Sequence, residues 1–145
     1  MQTFISDTSF LFSIFGNDTH TLTARAWIRQ YQRPISVSVL NYYEFQNAIR
    51  FAAFRKAISR TEAVATLDAF ESDLKSGHLQ STSVDFGAVF AEASNLSANY
   101  TLEGGHRSFD ILHVAVARLL KASTFLSFDE NQRRLASSVR LNVGP

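Results

Sequence analysis

The chain has 145 residues, 46% of them hydrophobic, a formal net charge of +1 and no cysteine. Disulfides and thiolate-bound zinc are thereby excluded, and no apolar run approaches the roughly 18 residues that a membrane span needs. The N-terminal MQTFISD has no basic start, long apolar stretch or small-residue cleavage site of a signal peptide. The expectation is one cytoplasmic domain over residues 1–145, with no membrane association.

Strand-like runs alternate with helical patterns along the chain. Thr3–Ser6 begins as a strand, followed by apolar Phe10, Leu11, Ile14 and Phe15 and a Gly16-Asn17-Asp18 turn. Thr19 to Gln32 reads as a helix, on the spacing of Leu22, Ala26, Trp27 and Ile28. Beyond Pro34, Ile35–Val37 is a second strand and Val39 to Lys56 a long helix. Thr61 to Ser76 is another helix, which Gly77 ends as a C-cap. A short strand at Leu79–Ser81 leads to a helix over Asp85–Tyr100 and a Gly104-Gly105 loop. Ser108 is the expected N-cap of an apolar helix reaching Leu120. Thr124–Phe128 is a strand, Asn131–Ala136 a short helix and Val139–Val143 a last strand. Such alternation predicts an α/β fold with a mainly parallel sheet between two helical layers. Ligands gather at the carboxyl ends of the strands of such sheets.

Four carboxylates stand where solvation alone does not explain them. Asp7 and Asp129 directly follow strands, Phe4-Ile5 and Phe125-Leu126-Ser127-Phe128, and project from the same sheet edge. Glu44 interrupts an apolar stripe formed by Leu40, Ala48 and Phe51. Asp110 opens a helix that is apolar on nearly every side. Taken singly, each has an ordinary reading: a capping aspartate, a helix-dipole partner, or, for Glu44, a core pair with an arginine. Brought together at an assumed ~6 Å, two such charges repel by roughly 3 kcal/mol at an effective dielectric of about 20. Six pairs would approach the stability of a whole small domain, and a divalent cation relieves that better than protonation does. Oxygen-only ligands favour Mg²⁺ or Mn²⁺.

With these residues in view, the sequence resembles the PIN-domain family, and within it the VapC toxins of bacterial toxin–antitoxin pairs. The resemblance rests on four pieces in order along nearly the whole chain. They are Phe-Ile-Ser-Asp7-Thr-Ser, Ser38 six positions before Glu44, Phe109-Asp110-Ile-Leu-His113-Val-Ala, and Phe-Leu-Ser127-Phe-Asp129. It implies an α/β/α sandwich and an endoribonuclease of the VapC type that cuts single-stranded RNA and inhibits translation. It also implies homodimers and a small inhibitory antitoxin. The family's Mg²⁺/Mn²⁺-site acids fall on Asp7, Glu44, Asp110 and Asp129, with Ser9 and Ser127 as accessory polar groups. In many members a further acid follows the last aspartate by two or three residues. Here those positions are Asn131 and Gln132, which leaves the number of metal ions open.

Charge is uneven: residues 19–61 carry seven basic side chains and one acid, and residues 62–103 seven acids and one lysine. RNA is therefore expected along the basic stretch, on Arg50, Arg55, Lys56 and Arg60, with Arg107 reaching substrate beside Asp110. Phe51 and Phe54 are expected to pack in the core, with base stacking as the other reading. His113 is expected to be a hydrogen-bonded core histidine rather than a metal ligand. Two further readings compete with the nuclease. One is a non-catalytic PIN-like module binding RNA or a partner peptide. The other is an aspartyl phosphotransfer domain, which lacks the needed second aspartate and lysine.

Overall fold

The structure is a computed structural model that describes residues 2–145; Met1 lies outside the described residues. Five parallel strands form one sheet in the order β3-β2-β1-β4-β5. They are β1 (Phe4–Ser6), β2 (Ile35–Val37), β3 (Leu79–Ser81), β4 (Thr124–Leu126) and β5 (Val143–Gly144). β1 is central, pairing Phe4 with Ile35 on one side and with Thr124 on the other. Consecutive strand residues face opposite sides of a sheet, so neighbours in sequence feed different cores. Phe4 and Leu126 enter one core with Phe10, Trp27, Phe45 and Phe70. Ile5 and Phe125 enter the other with Val89, Leu96, Val114 and Leu135. Burial on both faces is why these strands read as unbroken apolar runs.

One layer holds α1 (Thr8–Phe15), α2 (Thr21–Tyr31), α3 (Val39–Phe54) and α4 (Arg60–Ser76). The other holds α5 (Phe86–Leu96), α6 (Leu102–Gly104), α7 (Ser108–Leu119) and α8 (Glu130–Ser138). A π-helical turn, Ser97–Thr101, joins α5 to α6. The architecture is the expected three-layer α/β/α sandwich. Gly77 ends α4 at φ 85, a conformation that glycine reaches without strain. Among the described residues no helix is long and apolar enough to cross a membrane.

Several local expectations are corrected. Residues 8–15 are helical, because the Asp7 side chain caps the Phe10 N–H and Phe10 and Leu11 are fully buried. In α2 the inward residues are Thr21, Ala24 and Trp27, whereas Leu22 is 80% exposed. Ser108 is the first residue of α7; Arg107 is its N-cap and contributes no side-chain capping bond. The final strand is Val143–Gly144, not Val139–Val143. α8 continues to Ser138, and Arg140 turns the chain at φ 64 before it rejoins the sheet.

Candidate metal centre

From β1 the chain proceeds outward to β2 and β3, then returns to place β4 on the other side of β1. The carboxyl ends of β1 and β4 thus flank the point where strand order reverses, the usual ligand crevice of parallel sheets. Asp7 continues the ladder there, its N–H bonded to the Leu126 carbonyl at 3.0 Å. A cavity of about 470 Å³ at this edge is lined by Asp7, Thr8, Ser9, Glu44, Arg107, Asp110, Asp129 and Gln132, among others. All four carboxylates singled out in the sequence border it, brought from the ends of two strands and from two helices.

Asp7 is the deepest, only 3% exposed. It accepts from the Phe10 N–H at 2.9 Å, from Ser9 Oγ at 2.7–2.8 Å and from Ser127 Oγ at 2.6 Å. Burial pushes its pKa above the ordinary carboxylate value. The donors Ser127, Phe10 and Ser9 and the nearby His113 offset this only in part. Asp129 N-caps α8 by accepting from the Gln132 N–H at 2.8 Å, and its own N–H donates to Ser127 Oγ at 3.0 Å. Ser127, fully buried, therefore joins the two strand-end aspartates.

Glu44 and Asp110 are more open, their side chains 29% and 23% exposed. The Glu44 carboxylate lies 3.1 Å from His113 Nε2. Burial acts to raise the Glu44 pKa, but the hydrogen bond and electrostatic field of His113, with Thr8 and Arg107, outweigh it and hold the group below its ordinary value. The core partner of Glu44 is thus a histidine, not an arginine. Asn41 sets the orientation of that histidine. Its Oδ1 accepts from the Ser38 N–H at 3.0 Å, so its Nδ2 faces the Ser6 carbonyl at 2.9 Å and His113 Nδ1 at 3.5 Å. A donor facing Nδ1 favours the tautomer with its proton on Nε2, the nitrogen that meets Glu44.

Asp110 is paired with Arg107, Nε to Oδ2 at 3.1 Å. The charge of Asp110, then the hydrogen bond to it and the fields of Asp129 and Glu44, raise the Arg107 pKa. One arginine thus answers part of the negative field. Among the described residues no three acidic or histidine groups converge closely enough to enclose an ion as they stand. The uniform close spacing assumed from sequence is therefore not met. The donor chemistry nevertheless fits a hard cation: carboxylates border one cavity, one of them is buried at an electrostatic cost, and two lie on half-exposed side chains that can turn inward.

The sequence reading missed Asn41 and Gln132. Gln132, 1% exposed, stands at one of the two positions where many PIN proteins carry an acid. Its Nε2 donates to the Asp110 carbonyl at 3.1 Å, and its Oε1 faces Ser127 Oγ at 3.4 Å. Each could have been found three residues after a helix cap, Ser38 or Asp129. The basic residues Arg50, Lys56 and Arg60 line a different cavity, of about 990 Å³, with Phe54, Ile58 and Leu67. Arg55 lies 5.0 Å over the ring of Phe51. Phe51 and Phe54 are 51% and 78% exposed, which corrects the expectation of core packing. Arg107 is the one expected RNA-contacting residue that borders the acidic cavity.

A family model described as the PIN domain matches residues 4–137. The chain belongs to the PIN domain family. Compared by sequence with curated proteins, it has no significant match. Several solved structures share its PIN fold. VapBC2 from Rickettsia felis, bound to a DNA fragment from its promoter, is 16% identical with a TM-score of 0.68, over 99% of this chain and 98% of that one. Mycobacterium tuberculosis VapC20, a sarcin-ricin loop cleaving toxin, is 16% identical with a TM-score of 0.69, over 96% of each chain. FitAcB from Neisseria gonorrhoeae is 12% identical with a TM-score of 0.64, over 99% and 97%.

Proposed function

We propose that this PIN protein is a divalent-metal-dependent endoribonuclease, the toxin of a VapC-type toxin–antitoxin pair that inhibits translation, with the whole chain acting as one cytoplasmic nuclease domain. One observation carries the reading: four carboxylates remote in sequence border a single cavity at the strand-order switch. The relatives supply context, since VapC20 is a cleaving toxin and VapBC2 a complex. A small antitoxin and a second copy of the chain are the protein partners this reading implies.

Asp7, Glu44, Asp110 and Asp129 would hold Mg²⁺ or Mn²⁺. The chemistry gained is activation of water and neutralisation of charge on the phosphodiester. The side chains prepare for it. Ser9, Ser127 and the Phe10 N–H hold the Asp7 carboxyl at the cavity and offset part of the burial that raises its pKa. His113 holds the Glu44 carboxylate as a proton acceptor at the cavity wall. The guanidinium of Arg107, 80% exposed, is placed to exchange Asp110 for a phosphate oxygen, a bidentate partner of equal charge. The Asp7→Asn, Asp110→Asn double variant should fold and lose Mg²⁺-dependent cleavage of single-stranded RNA. Retained cleavage would reject the assignment.

The Arg107–Asp110 pair favours a second reading, in which the carboxylates bind the arginines of a partner and no reaction follows. Calorimetric titration with Mg²⁺ and Mn²⁺ separates the two, because only the nuclease requires a bound cation.

A further inference from the structure

Next to the acidic cavity stands a column of aromatic rings that the nuclease reading does not use. Its innermost member is Phe10, fully buried and edge-on to Trp27. Phe128 stacks on Phe10 with ring centres 5.6 Å apart. His20 then lies on Phe128 at 4.3 Å with the planes only 8° apart. His20 is exposed, so the column runs from the core to a solvent-exposed aromatic residue. The loop that carries it is fixed rather than loose. Asp18 accepts from the His20 N–H at 2.8 Å and from Ser13 Oγ at 2.8 Å, and its own N–H donates to Thr21 Oγ1 at 2.9 Å. Ser13 and Thr21 are buried. The imidazole makes no side-chain capping bond to α2.

Phe128 is bonded directly to Asp129, and the Cα atoms of adjacent residues are ~3.8 Å apart. The column is therefore anchored on the residue next to Asp129, which borders the acidic cavity. We propose that His20, laid on Phe128, is a stacking platform for one unpaired base of the RNA strand whose phosphodiester enters the cavity. The inference rests on the RNA-cleaving reading above. Unpaired bases are commonly recognised on aromatic faces, histidine included. A rigid ring already layered on a core phenylalanine offers its face at little ordering cost. Because every base has a π-face, the platform selects unpaired strands over duplexes more than it selects a sequence.

The test is fluorescence anisotropy with 5′-labelled hexauridylate and hexaadenylate, in Ca²⁺ to slow turnover, on wild type, His20→Leu and His20→Trp. Base–aromatic stacking of the usual strength predicts a loss of binding between roughly 5-fold and 150-fold for His20→Leu. Hexaadenylate should lose more than hexauridylate, and His20→Trp should restore binding to both. Tight wild-type binding that His20→Leu leaves intact overturns the platform alone. No wild-type binding of either RNA overturns the cleaving reading and the platform with it.

Discussion

The hydroxyl of Ser127 donates to Asp7 Oδ2 at 2.6 Å across a separation of 120 residues. The same oxygen accepts from the Asp129 N–H, so one buried atom ties the ends of β1 and β4. Ser127→Ala removes both bonds without adding bulk. The expected loss is about 1–3 kcal/mol, the usual cost of leaving buried polar partners unmet, read as a lower urea midpoint. RNA cleavage should fall with it, and Ser127→Thr should recover less than the chemistry suggests because no space surrounds the side chain.

Asp7 should show a conflict between stability and activity. Its pKa is raised by burial, so its stabilising contribution is present at acidic pH, below the ordinary carboxylate value, and is lost as pH rises through the folded value. At neutral pH without metal, Asp7→Asn is expected to melt roughly 2–4 °C above wild type, the shift that about 1 kcal/mol produces at this size. The gap should close as the pH is lowered. Mg²⁺ should raise the melting temperature of the wild type but not of the variant, and the variant should not cleave RNA.

His113 should govern how acid the reaction can run. Its contact keeps the Glu44 pKa low against the opposing effect of burial. In His113→Leu the burial remains and the hydrogen bond does not, so the Glu44 pKa rises. The acid limb of the kcat/KM profile should move to higher pH, with little change at the alkaline limb. An unmoved acid limb would show that Glu44 does not act in the ionised form.

Arg107 separates stability from function in the other direction. Its side chain is 80% exposed, and a surface pair of this kind contributes roughly 0–1 kcal/mol. Arg107→Gln should leave the denaturation curve nearly unchanged. It should tighten Mg²⁺ binding, because Asp110 loses its competing cation, and raise KM for RNA. Isothermal titration and steady-state kinetics read the two effects independently.

Much of this was legible because the relevant signals are short-range. Phe4-Ile5 before Asp7 and Phe125-Leu126 before Asp129 mark strands that must be buried on both faces, and the acids that follow must then lie at one edge. Glu44 and Asp110 were visible as charges breaking apolar helical patterns. The helix over residues 8–15 is not marked in the sequence because its first turn depends on the Asp7 side chain, for which capping and metal binding read as alternatives. Asp7 does both. The Arg107–Asp110 contact and the Asn41–His113–Glu44 chain depend on rotamers and on approaches between helices, which no periodicity encodes. Phe51 and Phe54 misled for a related reason: apolar residues at helical spacing were read as inward, yet the face they occupy is left uncovered in the single chain.

The pairing of β1 with β4 also sets when the acidic cavity can form during synthesis. Residues 4–6 are synthesised well before their neighbour on one side, residues 124–126. Until then Asp7 lacks Ser127, Asp129 does not exist, and the central strand has an open edge. A chain that stops short of residue 124 accordingly lacks part of the acidic edge. The acidic edge is therefore assembled only after residues 124–129 have been made and have docked against β1, so the four carboxylates meet late in the folding of each copy.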